Sequence, residues 1–226
     1  MTEPRLSVIV PTLNEADAIV PLLDDLAPLR ASGNEVIVVD GGSGDATRRL
    51  AAARSDRVLD SGRGRAAQMN AGAAAASGDV LWFVHADTRI PDGAAPALCE
   101  RHAQGGQWGR FDIRLSGRRW PLRIIERMMN LRSCVTGIAT GDQGIFVKRA
   151  LFERVGGFPG IELMEDIALS KTLRRIQRPA CLKQQLITSS RRWEERGILQ
   201  TILLMWRLRL AYFLGADPKK LARLYR

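Results

Sequence analysis

The chain has 226 residues, 46% of them hydrophobic, so it can bury the core of one domain of good size. No run of 18 uninterrupted apolar residues occurs and no basic-then-apolar leader precedes Leu6, so we expect neither a membrane-spanning helix nor a secretory signal. Residues 171–226 carry 14 Lys/Arg and 3 Asp/Glu, whereas residues 1–170 carry 20 and 21, so the excess behind the net charge of +10 lies in the C-terminal quarter. This asymmetry predicts contact with phosphates, lipid headgroups or nucleic acid.

The three cysteines, Cys99, Cys134 and Cys181, are far apart in the sequence and include no Cys-x-x-Cys pair. A scattered, odd set in a chain without a leader is typical of reduced, buried thiols in the cytoplasm. We therefore expect a cytoplasmic protein in which the cysteines have a structural role.

The first 84 residues alternate between short apolar runs and helical segments. The apolar runs are LSVIV at 6–10, EVIVVD at 35–40, RVLD at 57–60 and DVLWFV at 79–84. Helical patterns cover 15–31, the stretch from Asp45 to about Ala53, and 65–76, and Asn14 is in position to cap the first helix. Near-continuous apolar strands alternating with helices predict an α/β fold with a mostly parallel sheet covered on both faces.

Beyond residue 105 the pattern is less regular. Residues 109–116 alternate between apolar and polar, 143–147 form a predicted short strand, and 160–176 contain a predicted helix. Two C-terminal helices are predicted at 197–214 and 218–225. There is no internal repeat, low-complexity tract or linker, so we expect a single domain.

Polar residues follow three of the predicted strands. They lie in the segments Pro11 to Glu15, Asp40 to Ser43 and His85 to Asp87. In open α/β sheets, ligands bind beyond the carboxyl ends of the strands, so these segments are expected to share one binding cleft.

Some of these acids also have a plainer interpretation. Asp40 and Asp87 fit turn residues that only cap a loop. The pair Glu165-Asp166 begins an amphipathic helix, where acids commonly complement the helix dipole. Local sequence alone leaves both interpretations open.

Gly62 to Ala67 fits the dinucleotide pattern G-x-G-x-x-A. It follows the third predicted strand rather than the first, so we interpret it as a flexible turn. Arg65 in this turn points either at a phosphate or carboxylate or into solvent.

Six sequence blocks occur in an informative order. They read SVIVPTLNE, VIVVDGGSGDAT, RGRAAQMNAGAAAASGD, LWFVHADT, GDQGIFVKRALFERVGGF and MEDIAL. This order resembles the inverting family-2 glycosyltransferases of GT-A fold, from residue 6 to about residue 175. The HADT block and the tail YFLGADPKKLARLYR look like a short bacterial subgroup named for arsenosugar biosynthesis.

The resemblance implies a nucleotide-diphosphate-sugar donor and an acceptor that the sequence does not identify. It implies that the donor is bound by Pro11, Thr12, Asn14, Glu15, Asp40, Arg65, Asp79, Ala86, Arg191, Arg192 and Trp193. It also divides the expected single GT-A domain, residues 1–226, into a nucleotide-binding half (1–105), an acceptor and catalytic half (106–196) and basic amphipathic C-terminal helices (197–226).

The resemblance further implies a divalent cation, Mn²⁺ or Mg²⁺, at Asp87, and a catalytic base at Asp166. Glu165 is the alternative base. His85 stands where the family's D-x-D motif has its first acid, so it either adds a nitrogen ligand or contacts the ribose or diphosphate. The implied reaction is a single displacement with inversion, onto a small-molecule or lipid-linked acceptor.

The C-terminal helices suggest an anionic membrane surface as a partner, with the protein peripheral on the inner face of the membrane. The apolar stripe consists of Ile198, Leu199, Ile202, Leu203, Met205, Trp206 and Leu210. The cations beside it are Arg207, Arg209, Lys219, Lys220, Arg223 and Arg226. The alternative is that the stripe packs on the catalytic domain or on a second subunit of a homodimer.

Two other functions fit the sequence less well. A nucleotidyltransferase commonly has a Gly-rich basic loop after the first strand, but PTLNEAD occupies that place. A nucleic-acid-binding module would suit the basic tail, but the chain lacks zinc-finger spacing and interleaved aromatic residues, so nucleic acid is not expected as a partner.

Overall fold

A computed structural model describes residues 3–225. Its strands are β1 (Leu6–Thr12), β2 (Glu35–Asp40), β3 (Arg57–Asp60), β4 (Val80–Phe83), β5 (Thr88–Arg89), β6 (Trp108–Leu115), β7 (Phe146–Lys148) and β8 (Ala180–Thr188). Its α-helices are α1 (Ala16–Ala31), α2 (Thr47–Ala52), α3 (Arg65–Ala75), α4 (Ala94–Ala103), α5 (Trp120–Thr136), α6 (Arg149–Arg154), α7 (Glu165–Leu173), α8 (Arg191–Glu195), α9 (Ile198–Phe213) and α10 (Pro218–Tyr225). A short 3₁₀ turn spans Gly141–Gln143.

All eight strands form one sheet in the order β3-β2-β1-β4-β7-β6-β8-β5. Strands β3, β2, β1 and β4 pair in parallel, β7 runs antiparallel to both of its neighbours, and β6 pairs in parallel with β8. Thr12 pairs with Asp40 and Asp40 with Asp60, so the carboxyl ends of β1, β2 and β3 meet at one edge of the sheet. The predicted α/β fold with a mostly parallel sheet is confirmed.

Helices cover both faces of the sheet, because its strands are apolar on both sides. On one face α1 and α4 bury side chains such as Leu22 and Leu98. On the other face α3, α6 and α7 bury Met69, Phe152 and Leu169. The cleft edge is therefore held by rigid, fully packed strands.

Helix α9 has one face on the protein and the other in solvent. Leu208 is buried, and together with Leu221 of α10 it packs on Ile138, Met164 and Ile167. The predicted stripe is thus divided: Ile198, Ile202 and Met205 pack inward, whereas Leu199, Leu203, Trp206 and Leu210 are exposed.

Helix α5, which the sequence did not predict, runs beside α9. Near the start of both helices, Leu122 and Met129 pack with Ile198 and Ile202. No helix within residues 3–225 combines the length and apolarity needed to cross a bilayer. Helix α5 nevertheless carries an exposed apolar row of its own, formed by Trp120, Ile124, Met128, Leu131 and Val135.

The structure corrects the prediction for the cysteines. Cys134, near the end of α5, forms a disulfide with Cys181 in β8, and the two Cα atoms are 5.9 Å apart. Cys99 keeps a free thiol, and burial raises its pKa. Three reduced thiols were therefore the wrong prediction for Cys134 and Cys181, and a cytoplasmic location can no longer be inferred from the cysteines.

Candidate active site

Asp40 ends β2 and is buried at the cleft edge. Its Oδ2 accepts hydrogen bonds from the backbone N–H groups of Gly42 (3.0 Å) and Ser43 (2.8 Å), and its Oδ1 accepts from the hydroxyls of Ser43 (2.5 Å) and Thr12 (3.2 Å). Burial alone would raise the pKa of Asp40, but these donors lower it below its usual range. Asp40 thus fixes the loop after β2, and its contact with a nucleotide base stays a prediction.

Asn14 and Glu15 connect β1 to α1. Asn14 has a φ of 55° and its Oδ1 accepts a hydrogen bond from the backbone N–H of Gly44 at 2.8 Å. The prediction that Asn14 caps α1 is wrong, because Glu15 is its N-cap residue and the side chain of Asp45 accepts from the first helical N–H, that of Ala16, at 3.2 Å. The backbone N–H of Glu15 donates to Thr47 Oγ1 at 2.8 Å, so the loops after β1 and β2 are tied together.

Glu15 shows which predicted groups share the cleft. Burial and then the charge of Asp87 raise the pKa of Glu15, while Arg191, His85 and Arg65 oppose that rise. Groups from separate parts of the chain therefore act on one another at this edge of the sheet, as the strand-end rule predicted.

His85 follows β4 and packs against the 3₁₀ turn. Its Nδ1 lies 3.5 Å from Asp142 Oδ1, and a Cβ added to Gly141 would lie 2.6 Å from its Nε2. Burial would raise the pKa of Asp142, but the hydrogen bond and charge of His85, with Arg65 and Arg209, keep it below its usual range. Both ring nitrogens of His85 therefore face the 141–142 segment.

The acid pair opens α7. Asp166 Oδ2 accepts a hydrogen bond from the backbone N–H of Gly141 at 2.8 Å, and Oδ1 accepts from that of Ile167 at 2.7 Å. Glu165 is 5% exposed, and burial, followed by the charge of Asp166, raises its pKa to about 7. Of the two acids, Asp166 is thus the more accessible carboxylate, whereas Glu165 holds a proton more readily.

Arg65, the first residue of α3, lies among acidic groups. Desolvation would lower the pKa of its guanidinium, but Tyr225, Glu165, Asp142 and Asp166 raise it. The Arg65 side chain is nevertheless exposed, so it combines both initial interpretations: it lies among acidic groups and it is solvated.

Helix α8 brings two further arginines to the same region. The Arg192 guanidinium lies 3.9 Å from the centre of the Tyr225 ring, and its Nη1 is buried without a hydrogen-bond partner. Arg191 acts on the pKa of Glu15. Trp193 packs on the apolar cluster of β6 and α5, so its contact with a donor stays a prediction.

Three predicted donor residues, Asp79, Pro11 and Ala86, do not present their side chains to the cleft. Asp79 precedes β4 and lies at the amino end of the sheet, where its Oδ2 accepts a hydrogen bond from the backbone N–H of Arg5 at 3.0 Å. Its assignment to the nucleotide pocket is therefore wrong, because the length of β4 separates it from His85. The buried side chains of Pro11 and Ala86 leave only their backbone for a donor.

Asp87 and His85 are the candidate ligands of a metal ion. Within residues 3–225 no three His, Cys, Asp or Glu side chains are grouped closely enough to enclose an ion. Mg²⁺ and similar hard cations are commonly held by one or two carboxylates together with substrate phosphates, so a full protein cage is not required. Asp87, whose charge acts on Glu15, offers one such carboxylate, and the donor diphosphate would complete the site.

Sequence reasoning missed Asp142, Arg132 and Tyr225, and it assigned Arg209 only to the cations beside the apolar stripe. Asp142 stands in a loop, and nothing in its spacing pointed to His85, which is 57 positions away. Arg132 and Arg209 come together only because α5 and α9 lie side by side, which the sequence does not indicate. Tyr225 reaches the cleft because α10 folds back, and no local pattern indicates such a return.

The comparisons with known proteins agree with this geometry. A chain of Pseudomonas paraeruginosa named undecaprenyl-phosphate 4-deoxy-4-formamido-L-arabinose transferase is 31% identical over 163 residues, which is 63% of this chain and 46% of that protein. A PGL/p-HBAD biosynthesis glycosyltransferase of Mycobacterium tuberculosis is 28% identical over 70% of this chain and 64% of its own length. The chain thus spans about half to two thirds of these relatives.

Solved structures share the fold. The mannosyltransferase PcManGT of Pyrobaculum calidifontis, in complex with GDP-Man and Mn²⁺, superposes with a TM-score of 0.67 at 24% identity over 100% of this chain and 70% of that one. S. aureus TarS with UDP-GlcNAc gives a TM-score of 0.64 at 21% identity, over 82% of this chain and 58% of the other. These likenesses confirm the predicted GT-A fold. Residues 7–153, well over half of the chain, match the model described as glycosyl transferase family 2, and the protein belongs to that family.

Proposed function

We propose that the protein transfers a sugar, with inversion, from a nucleotide-diphosphate sugar to a hydroxyl of a small-molecule or lipid-linked acceptor. The main support is the convergence of Glu15, Arg65, Asp87 and the pair Glu165-Asp166 at the carboxyl edge of the sheet. Carboxylates and cations that act on one another in this way suit a diphosphate leaving group opposed to a base.

Asp166 is the proposed base. It takes the proton of the acceptor hydroxyl while the new bond to the anomeric carbon forms and the bond to the donor diphosphate breaks. The N–H groups of Gly141 and Ile167 donate to the two carboxylate oxygens and hold the side chain in position. No enzyme nucleophile is needed, because one displacement inverts the configuration.

The leaving diphosphate meets the positive groups of the cleft. Arg65, Arg191 and Arg192 supply fixed charge, and Asp87 is the proposed ligand of a divalent cation. Bound Mn²⁺ or Mg²⁺ would stabilise the negative charge that develops on the diphosphate. His85 is proposed to position the 141–142 segment or to contact the ribose or diphosphate.

Finer assignments rest on resemblance. The name of the Pseudomonas relative supports a lipid-linked acceptor. Membership of the short bacterial subgroup named for arsenosugar biosynthesis rests on HADT and the C-terminal tail. The division of one domain at residues 105 and 196 is proposed on the same basis.

Nucleotide binding tests the proposal. The matching nucleoside diphosphate with Mn²⁺, at about 100 times its Kd, should raise Tm by about 5–10 °C, since such binding adds about 2.7 kcal/mol to the stability of a protein of this size. A screen of UDP, GDP, ADP, CDP and dTDP measures this. Arg65→Gln should reduce the shift, whereas Arg63→Gln, in the same exposed turn, should not. If none of the nucleotides shifts Tm, the proposed function is wrong.

We also propose that α5 and α9 dock on an anionic membrane surface. Both helices expose apolar rows, which include Trp120 and Leu131 on α5 and Trp206 and Leu210 on α9. Residues 171–226 carry a net charge of +11, which complements anionic headgroups at about 1 kcal/mol per cation near the surface. Large exposed apolar areas beside cations are typical of proteins that lie in the headgroup plane.

Vesicle sedimentation checks this docking. The full chain should bind anionic but not neutral vesicles and should be released at about 0.5 M salt, because screening weakens the attraction. A Trp206→Asp/Leu210→Asp variant should lose binding, whereas Ile176→Asp, an exposed apolar position outside both helices, should retain it. No binding to either vesicle, together with a homodimer that the double variant dissociates, would instead make this face a subunit interface.

A further inference from the structure

A cavity of about 210 Å³ lies between α5, α7 and α9. Its lining combines cations and apolar groups, namely Arg132, Arg174, Arg209, Ile138, Ile167 and Phe213. A single water needs roughly 10–15 Å³, so the cavity has room for a larger group. Ile167 adjoins Asp166 in α7, which sets the cavity beside the proposed base.

Two arginines of this cavity have no acidic partner. Neither Arg132 nor Arg209 takes part in any ion pair found among residues 3–225. The Nε and Nη2 atoms of Arg132 are buried without a hydrogen-bond partner. Arg174 is different, because its Nη1 donates to the backbone carbonyl of Thr136 at 2.8 Å.

The charges of these two arginines act against each other. Burial, followed by the charge of Arg209, lowers the pKa of Arg132 to about 10. Burial likewise lowers the pKa of Arg209, and Asp166 and Asp142 only partly oppose it. Arg132 and Arg209 are half-buried like charges, and a bound anion would offset their repulsion through charge-assisted hydrogen bonds.

We propose that this cavity binds a phosphate group of the acceptor and thereby directs an acceptor hydroxyl toward Asp166. Guanidinium groups match the geometry of phosphate oxygens, which favours phosphate over other anions. The phosphate anchors the acceptor and is not the attacking group, so a base is still needed. The inference rests on the proposed function, since it gives the class of acceptor for the same site.

The chemistry suits two sources of phosphate, a water-soluble phosphate ester or a lipid headgroup. Phe213 lines the cavity and is 57% exposed, and Leu210 beside it is also exposed, so an acyl chain would find apolar contacts at the opening. Glycerol 3-phosphate and a short-chain lysophosphatidic acid share one headgroup and differ only in that chain. They therefore distinguish the two sources.

Isothermal titration of the full chain with both probes tests the site, with glycerol and the matching monoacylglycerol as phosphate-free controls. Arg132→Gln and Arg209→Gln should each weaken binding of the phosphate probe at least about tenfold, the effect of one charge-assisted bond. Arg127→Gln on α5 and Arg207→Gln on α9 remove exposed arginines from the same helices and should change binding less than twofold. Without ligand, Arg132→Gln should keep or raise Tm, whereas a purely structural arginine would lower it.

Tighter binding of the acylated probe would identify a lipid acceptor, and equal binding a soluble one; both outcomes support the site. The proposed site would be overturned if neither phosphate probe binds, or if the cavity variants and the control variants lose the same affinity. The nucleoside diphosphate shift in the same protein separates this failure from that of the proposed function. A retained nucleotide shift with no phosphate binding would reject the acceptor site alone.

Discussion

Replacing Asp166 by Asn should lower turnover by about 10²–10⁴-fold while leaving donor affinity nearly unchanged. The substitution keeps the shape of the side chain and removes its basicity. The acceptor hydroxyl would then have to lose its proton to water during attack. Steady-state kinetics, combined with donor titration on the same preparation, measure the two quantities separately.

Glu165→Gln is the matched control, because Glu165 is adjacent in sequence and only 5% exposed. If Asp166 is the base, this variant should retain most of its turnover. Near-normal turnover in Asp166→Asn with a large loss in Glu165→Gln would transfer the role of base to Glu165.

The same pair of acids predicts a pH effect on stability, which tests whether the charge of Asp166 acts on Glu165. Burial and the charge of Asp166 raise the pKa of Glu165 from 4.5 to about 7, so between these pH values the folded state keeps a carboxyl proton that the unfolded state loses. The stability that this proton contributes is present at low pH and is lost as the pH rises through 7. In Asp166→Asn, the pKa of Glu165 should fall, since one cause of its rise is removed. Urea unfolding at pH 5 and pH 8 should therefore differ less in the variant than in the parent protein.

Activity should fall at least about 10²-fold when metal-stripped protein is assayed in excess chelator, because an electrophilic cation contributes several kcal/mol to charge stabilisation. Asp87→Asn should cause a similar loss and should also weaken Mn²⁺ binding in the presence of nucleoside diphosphate, which calorimetry measures without an assay. Asp92→Asn, an exposed acid five positions further on, is the control. Full activity in chelator would leave Arg65, Arg191 and Arg192 to neutralise the diphosphate.

His85→Asp examines the unusual first position of the motif. Both ring nitrogens face Gly141 and Asp142, so we expect an unchanged preference between Mn²⁺ and Mg²⁺ and a lower Tm, because Asp would oppose Asp142. A shift of preference toward Mg²⁺ would instead make His85 a metal ligand, since oxygen donors suit the harder ion.

The nucleotide-binding half was predictable because its signals are local. The strands between Leu6 and Phe83 are short apolar runs, each followed by a turn. Because these strands are parallel, the polar residues that follow them lie at the same edge of the sheet. The same rule placed Asp40 and Asp87 at one edge, and the family resemblance added Arg65. The resemblance erred for Asp79, which precedes its strand and therefore belongs to the opposite edge.

The later half depends on contacts between distant segments, which periodicity does not report. Helix α5 escaped prediction because both of its faces carry apolar residues, with Ile125 buried and Met128 exposed, so no single stripe stands out. Residues 109–116 seemed to alternate, yet β6 is buried on both sides because it lies between β7 and β8. The Cys134–Cys181 disulfide likewise joins residues 47 positions apart, and no local sequence pattern indicates that pairing.

Met164, which directly precedes the acid pair, has a φ of 70°, a conformation that costs a non-glycine residue about 1–3 kcal/mol. Its side chain is held in the cluster that Leu208 of α9 and Leu221 of α10 complete. Helices outside a sheet can open locally at a lower free energy than global unfolding requires. Any such opening would release Met164 and let the start of α7 relax. The proposed base, Asp166, would then lose its position while the sheet stayed folded, so the proposed catalysis depends on the C-terminal helices as much as on the cleft.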